Sequence, residues 1–315
     1  MQKSKKKINI VNLVFITVFC IVLLVYSASI IFMLCWGFLT TLKSNVDFLY
    51  MNNVMGFPNL EKSSKEFFQL ANYKLILENF EFTRRTRFYS GDTLIVHETQ
   101  NNLGSMLVNT VLYAGVGSVI LAVVPAITAF ACVKFKRYKL SKIIYVANLV
   151  TMSLPLVGTA PATLNMMRYL NLYDSFIGNY IQKFSFCGMY FLVFYAFYEG
   201  LPDSYQEAAE IDGASYYGIL IKIIIPLSIK VISSVVLLQF VQLWNDYQTP
   251  LMYLPTHPTL AYGTYYMAQG NTAGALSKVP VRIAACMILA LPILVVFLFA
   301  RNKLMGNVSI GGVKE

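Results

Sequence analysis

Between Lys7 and Lys43 the chain runs for 35 residues without a charged side chain, and a second run of 35 separates Glu98 from Lys134. A water-soluble domain has no place for such stretches. About one residue in four is charged in ordinary soluble domains, whereas 13% are charged here and 57% are hydrophobic. The same hydrophobicity excludes a disordered chain. A bilayer accepts these runs, because a helix crosses its apolar core in roughly 20 residues. Further uncharged runs cover 25 residues between Lys142 and Arg168 and 18 between Arg282 and Arg301. Runs of 15 follow Lys183 and Lys230, and each extends through its lysine if the stem snorkels. The pattern predicts an all-α polytopic membrane protein with six transmembrane helices over 10–37, 105–133, 143–166, 176–198, 228–252 and 281–300. The first run is too long for the apolar region of a signal peptide and lacks a small-residue cleavage site, so it reads as a helix.

Lysine and arginine set the orientation. Fourteen lie in the N-terminus, the second loop, the fourth loop and the tail, against four (Arg168, Lys183, Lys278 and Arg282) in the short loops opposite. By the positive-inside rule both termini are cytoplasmic. The net charge of +10 is thus a topology signal rather than a nucleic-acid footprint. All five cysteines (Cys20, Cys35, Cys132, Cys187 and Cys286) fall inside predicted spans, as small apolar packing residues do. The organisation expected is a cytoplasmic N-terminus at 1–9, a first membrane segment at 10–40, an extracellular loop at 41–104, a core of five helices at 105–300 and a cytoplasmic tail at 301–315. The loop carries seven basic and seven acidic residues and is long enough for a small helical cap. Ser63 with Glu66 forms a possible capping box in it, and Gly56-Phe57-Pro58 and Ser90-Gly91-Asp92 read as turns.

The informative segment is the cytoplasmic loop 199–230, EGLPDSYQEAAEIDGASYYGILIKIIIPLSIK, which is longer than a simple connection needs. Pro202 and a cap at Asp203 or Ser204 begin a helix that runs through Ile211. Gly213 can stop it with a left-handed residue. A second helix follows from Ala214 to about Ile223, and Pro226 restarts the chain as it enters the membrane. Glu207-Ala208-Ala209, then Asp212-Gly213-Ala214, and later Ile224, Ile225 and Pro226 resemble the EAA loop of ABC importer permeases, with Ile225 where that family carries leucine. The resemblance is to the maltose-transporter type. Asn72-Tyr73-Lys74, Asn109-Thr110, Trp244-Asn245-Asp246-Tyr247 and the ending Gly311-Gly312-Val313-Lys314 are similar to elements of that type, although Glu315 replaces a closing glycine.

Physically, a transporter driven by a separate ATPase must pass a rigid-body motion into its helices. Ala208 and Ala209 permit close approach of a socket, Glu207 offers it a charge, and Gly213 sets the angle of the second helix. A bland alternative exists, in which Ser204-x-x-Glu207 is only a capping box for its own helix. The resemblance implies a coupling role for Glu207, Ala208, Ala209, Asp212, Gly213, Ala214 and Pro226, and ATPase contact for Gly311, Gly312, Val313 and Lys314. It implies a second homologous permease subunit, two cytoplasmic ATPase subunits, an extracellular solute-binding protein, a carbohydrate substrate and a bacterial plasma membrane location. It implies no cofactor and no catalysis by this chain.

Gln239, Gln242 and Asp246, at i, i+3 and i+7 with Asn245 beside them, form a polar face in the fifth span. Polar groups at membrane depth face protein or a water-filled path. They are therefore either a wall of the translocation path or helix-to-helix hydrogen bonds. Trp36 and Trp244 read as interfacial aromatic anchors, and Pro155 and Pro161 as possible kinks in the third span.

Catalytic signatures are missing. The sequence holds neither GxxxxGK[ST] nor HExxH, and its two histidines, His97 and His257, lie in predicted external loops. Asn307-Val308-Ser309 is a chance glycosylation match in a cytoplasmic tail. Rival readings are a permease for a non-sugar solute, a secondary transporter, and a membrane enzyme. The secondary transporter needs intramembrane ionisable groups, for which Asp246 is the sole candidate, and it is placed near a surface. The enzyme needs a His/Asp/Glu cluster that the sequence does not contain. The orientation is testable. Cysteines introduced at Ser63 or Gly91 should react with an impermeant thiol reagent in intact cells, and one at Ser141 only after the membrane is opened. The reverse pattern would contradict the positive-inside assignment.

Overall fold

A computed structural model describes residues 10–50, 52–59, 70–90, 93–154, 158–202, 204–269 and 274–305. The Ser63/Glu66 box, Gly91-Asp92, Pro155, the Asp203 cap and Gly311 to Lys314 lie outside these residues. The chain divides into two compact units, Met1–Asn79 with Gly270–Ile288, and Phe80–Gln269 with Leu289–Glu315.

The first unit begins with α1 (Ile10–Thr41), apolar on all faces and exposed from Leu13 to Cys35. Its 32 residues rise about 48 Å, more than the roughly 30 Å of a hydrocarbon core. The chain then folds into a knot of buried polar groups. Lys43 is 1% exposed, and its Nζ donates to the carbonyls of Asn53 at 2.8 Å and Val54 at 3.1 Å. Asp47, also buried, accepts from Asn53 Nδ2 and from the Asn59 amide, both at 3.0 Å. Burial pushes the Lys43 ammonium below the ordinary lysine range, and the nearby Asp47 opposes that shift. Trp36 Nε1 donates to the Val54 carbonyl at 2.9 Å. Helix α2 (Ala71–Asn79) ties back: Asn72 Nδ2 donates to the carbonyls of Thr41 and Lys43, and the hydroxyls of Tyr73 and Thr41 meet at 2.8 Å. A helical cap was expected here; α2 supplies one helix, and hydrogen bonds to backbone carbonyls organise the remaining described residues.

The second unit opens with an antiparallel hairpin, β1 (Glu81–Ser90) and β2 (Thr93–Asn102), paired from Glu81 with Asn102 to Ser90 with Thr93. This departs from the all-α expectation. The segment carries four threonines and three aromatics, with Ile95 and Val96, residue types that suit a strand, but its charges keep it from reading as a membrane span. The rest of the described chain is mostly helical. Asn102 caps α3 (Leu103–Val111) by accepting from the Ser105 amide at 2.8 Å. A π turn at Leu112–Val116 joins α3 to α4 (Gly117–Lys134), so that Leu103–Lys134 is one long helix. Next come α5 (Lys139–Ser153), α6 (Thr159–Tyr169), α7 (Phe176–Lys183), α8 (Met189–Glu199) and α9 (Ser204–Ile211). Then α10 (Tyr216–Ile219), a π turn at Leu220–Ile224 and α11 (Ile225–Trp244) form a second continuous helix. The chain continues through α12 (Gln248–Tyr253) and α13 (Leu260–Ala268), and α14 (Val279–Met305) runs through both units.

Among the described residues four helices are long and apolar enough to cross a bilayer: Leu13–Thr41, Leu103–Lys134, Tyr216–Trp244 and Val279–Val296. The predicted spans 143–166 and 176–198 each come as two shorter helices. Gly158, with φ +80°, stands between α5 and α6, and Gly188, with φ +143°, stands between α7 and α8. Both conformations suit glycine because a Cβ is disfavoured there. Pro226 also behaves differently from the sequence reading. It does not restart a helix. The wider π turn just before it leaves room for a residue without an N–H, and the helix passes through. Ser141 is buried, its hydroxyl donating to the Phe135 carbonyl at 2.7 Å. A thiol reporter on that loop therefore belongs at the exposed Lys139 instead.

The core of this unit lies where α4 meets α8 and α11. Ala122, Ala126 and Ala129 make a stripe of small buried residues along α4, and Phe191, Phe194 and Tyr198 make an aromatic ridge along α8. Phe194 stacks on Tyr198 at 6.2 Å, and Phe130 meets Tyr198 edge-on at 5.8 Å. In lipid there is little hydrophobic drive between helices, so close packing supplies the association, and small residues permit it. Ile232 and Val235 of α11 complete the cluster. Gly178 of α7 is the tightest backbone approach. A Cβ there would stand 2.0 Å from the Leu172 carbonyl oxygen, which is backbone and cannot swing away. Gly178→Ala is expected to destabilise the bundle by about 1–3 kcal/mol, lowering its unfolding temperature in detergent by several degrees. Gly200→Ala, whose Cβ would meet nothing closer than 3.5 Å, is the control and should leave it unchanged.

Candidate functional site

The loop 199–230 folds as two short helical pieces around a left-handed glycine. Helix α9 follows Pro202 and stops at Ile211. Gly213 takes φ +77°, and the Ala214 amide donates to the Ala209 carbonyl at 2.9 Å, closing a Schellman-type end. Ser215 then caps the next helix by accepting from the Gly218 amide at 3.2 Å. Helix α9 therefore has an inner and an outer side. Ala209 is buried within the cluster of α4, α8 and α11, while Tyr205, Glu207 and Ile211 are exposed. Asp212, Gly213 and Ala214 are exposed at the corner, as is Pro226 further along. Ala208 lies on α9 between them.

The corner is braced from the second loop. Tyr216 meets Phe135 edge-on at 5.7 Å, and Lys134 Nζ stands 5.7 Å from the Tyr216 ring centre. Lys136 donates to Glu199, the last residue of α8. That hydrogen bond raises the Lys136 ammonium above the ordinary lysine range. The pair is exposed and screened, so it orients the loop more than it stabilises it.

The predicted polar face 239–246 does not survive as one face. Helix α11 ends at Trp244, so Asp246 stands in a break before α12. Gln239 is buried, Gln242 and Asn245 are exposed, and Asn245 Nδ2 donates to its own helix at the Val241 carbonyl. Asp246 accepts from the Tyr113 hydroxyl at 2.6 Å and from the Thr249 amide at 3.1 Å. Trp244 is not an interfacial anchor: it is 3% exposed, and its Nε1 donates to the Leu289 carbonyl at 3.1 Å. Tyr247 stacks on Tyr265 at 4.0 Å. Asn109 Nδ2 donates to the Pro258 carbonyl, and Thr110 accepts from the Leu260 amide. Between α4 and α11 lies a cavity of about 590 Å³, with apolar walls such as Val119, Val123 and Phe240.

The sequence of this region matches a known family. Residues 118–303 match the model of the family described as "Binding-protein-dependent transport system inner membrane component". The chain belongs to that family. It is 28% identical over 216 residues to the maltose/maltodextrin transport system permease protein MalG of Vibrio vulnificus (strain YJ016), covering 65% of this chain and 71% of that protein. It is 31% identical over 210 residues to the sn-glycerol-3-phosphate transport system permease protein UgpE of Yersinia pestis bv. Antiqua, covering 65% and 73%. Its fold matches a crystal structure of a bacterial ABC transporter involved in the import of the acidic polysaccharide alginate, with a TM-score of 0.70, 19% identity, and coverage of 94% of this chain and 98% of that one. The chain is a membrane-spanning permease component of ABC importers.

Sequence reasoning passed over three side chains of this permease. Lys183 was expected to snorkel from a loop, but it is 8% exposed and its Nζ donates to the Tyr113 hydroxyl at 3.2 Å. Tyr113 is fully buried in the π turn before α4. Asn148 is fully buried in α5, and its Oδ1 accepts from the Gly188 amide at 2.6 Å, fixing the start of α8. The available signal was a lone lysine interrupting an otherwise apolar run. The left-handed corner is testable by itself. Gly213→Ala forces a Cβ into an αL site, which costs about 1 kcal/mol. Amide exchange over 209–218 should then quicken by about fivefold, with the unfolding temperature of the bundle unchanged.

Proposed function

We propose that this chain is one of two homologous permease subunits of an ATP-binding-cassette importer for a carbohydrate. The observation that carries the reading is α9, which buries Ala209 in the helical core while turning Glu207, Tyr205 and Ile211 outward. A helix so anchored moves with the core and still offers a face to a partner. Two cytoplasmic ATPase subunits receive that face, an extracellular solute-binding protein delivers the substrate, and the second permease completes the pathway. ATP binding draws the ATPases together, the loops follow, and the cavity opens outward; hydrolysis resets it. This chain makes and breaks no covalent bond.

In this reading α5 with α6, and α7 with α8, each make one interrupted crossing. Added to the four long helices, they give six spans with both termini cytoplasmic in a bacterial plasma membrane. The domains are a cytoplasmic N-terminus at 1–9, the first span at 10–40, an extracellular segment at 41–104, the permease core at 105–300 and the tail at 301–315. Glu207, Ala208, Ala209, Asp212, Gly213, Ala214 and Pro226 couple to the ATPase, and Gly311 to Lys314 reach it through the tail. Gln239, Gln242, Asn245 and Asp246 border the path, with Gln242 and Asn245 presenting the exposed polar groups.

The carbohydrate assignment draws on the printed role of the maltose/maltodextrin relative and on the maltose-type elements Asn72-Tyr73-Lys74, Asn109-Thr110 and Trp244-Asn245-Asp246-Tyr247. A second reading, a phosphorylated or other non-sugar solute, is favoured by the sn-glycerol-3-phosphate relative. Glu207→Lys tests the coupling face. Reversing the charge against a basic socket should weaken the complex by at least roughly 1–2 kcal/mol, cutting co-purification with the ATPase and substrate-stimulated ATP hydrolysis while membrane insertion stays normal. Full coupled transport by the variant would defeat the assignment.

A further inference from the structure

We propose that Lys183, Tyr113 and Asp246 form a charge-bridged latch that holds three helices in the arrangement seen here and opens during the transport cycle. The proposal rests on the reading of this chain as an ATPase-coupled permease. Tyr113 is the bridge. Its hydroxyl accepts from Lys183 Nζ at 3.2 Å and donates to Asp246 Oδ2 at 2.6 Å, and the ammonium also stands 4.3 Å from the centre of the Tyr113 ring. The second carboxylate oxygen accepts from the Thr249 amide at 3.1 Å, which fixes Asp246 in its turn. The lysine and the tyrosine are both buried.

All three residues stand where a helix loses its regular ladder. Tyr113 lies in the π turn Leu112–Val116, Lys183 is the last residue of α7 before the break that ends at Gly188, and Asp246 follows the last residue of α11. Regular helix resists bending, whereas π turns and helix ends absorb changes in backbone angle. A polar bridge across three such points restrains motion where motion is easiest. A hydroxyl is suited to this role because it serves both partners through one atom and can release either. A charged group buried as Lys183 is buried is costly to retain for packing alone. The path of the lysine stem is also kept clear. A Cβ on Gly117 would stand 3.1 Å from both Cδ and Cε of Lys183 and 2.9 Å from Leu243 Cδ1.

The test uses the assembled transporter, this chain with its second permease and ATPase subunits, reconstituted in lipid vesicles with MgATP as the only added ligand. Tyr113→Phe keeps the ring and removes the bridging oxygen. Lys183→Met with Asp246→Asn removes both charges together, so that neither is stranded. In both, the resting rate of ATP hydrolysis should rise about tenfold, the scale of losing a hydrogen bond to a charged group, with the KM for ATP unchanged. Gly117→Ala, which displaces the lysine stem without altering any charge, should raise it in the same direction. A resting rate that is unchanged or lower in Tyr113→Phe and in the double variant, in complexes that still co-purify with the ATPase, overturns the latch. Wild-type chain that captures no ATPase would instead refute the permease reading, and with it the premise. Loss of ATPase association in both variants but not in wild type would mark the three residues as structural supports and also overturn the latch.

Discussion

Ala122, Ala126 and Ala129 offer almost no side chain along one face of α4, and the aromatic ridge of α8 closes onto that face. The close approach matters because lipid competes for apolar surface as well as another helix does. What remains to hold helices together is dispersion, which falls away within an ångström of lost contact. Larger residues on the stripe would push α8 outward and take Tyr198 away from Phe130 and from Ser228, whose hydroxyl lies 3.4 Å from its own. Helix α11, which packs on the same stripe through Ile232 and Val235, would lose its seat too.

The surface loop depends on the same contact. Ala209 reaches the cluster from α9, and Ile219 and Ile224 reach it from the start of the long helix Tyr216–Trp244. Ala209 thus ties α9 to the same buried cluster that holds α4, α8 and α11. Side chains in such an interior are packed too closely to absorb a shift locally, so the motion is passed on. Gly213 and the Ser215 cap keep the corner between α9 and the long helix rigid enough for that.

Polar groups inside this bundle are placed where the backbone is irregular. Asn148 fills the amide at Gly188, the start of α8, and Thr110 serves the amide of Leu260, the start of α13. Each answers the requirement that a backbone group away from water find a partner. The breaks between α5 and α6 and between α7 and α8 are thus built into the fold. Uncharged runs in the sequence reveal where a crossing is affordable, but they carry no information on whether its helix is continuous.

Much of the function was legible along the chain. The long uncharged runs determined that this is a membrane protein, since no other solvent accepts them. The loop 199–230 announced its helix, its left-handed stop at Gly213 and its family, because capping and turn chemistry are local and act within a few residues. Tertiary structure alone decided the rest. Lys183 reads as a loop lysine until Tyr113, seventy residues earlier, and Asp246, in a broken helix, are brought beside it. Trp244 reads as an interfacial anchor until the Leu289 carbonyl meets it. The hairpin Glu81–Asn102 reads as part of a polar loop until its strands pair. For the lysine and the indole the deciding partner is distant in sequence, and the energy of a buried charge or indole depends on that partner rather than on its neighbours along the chain.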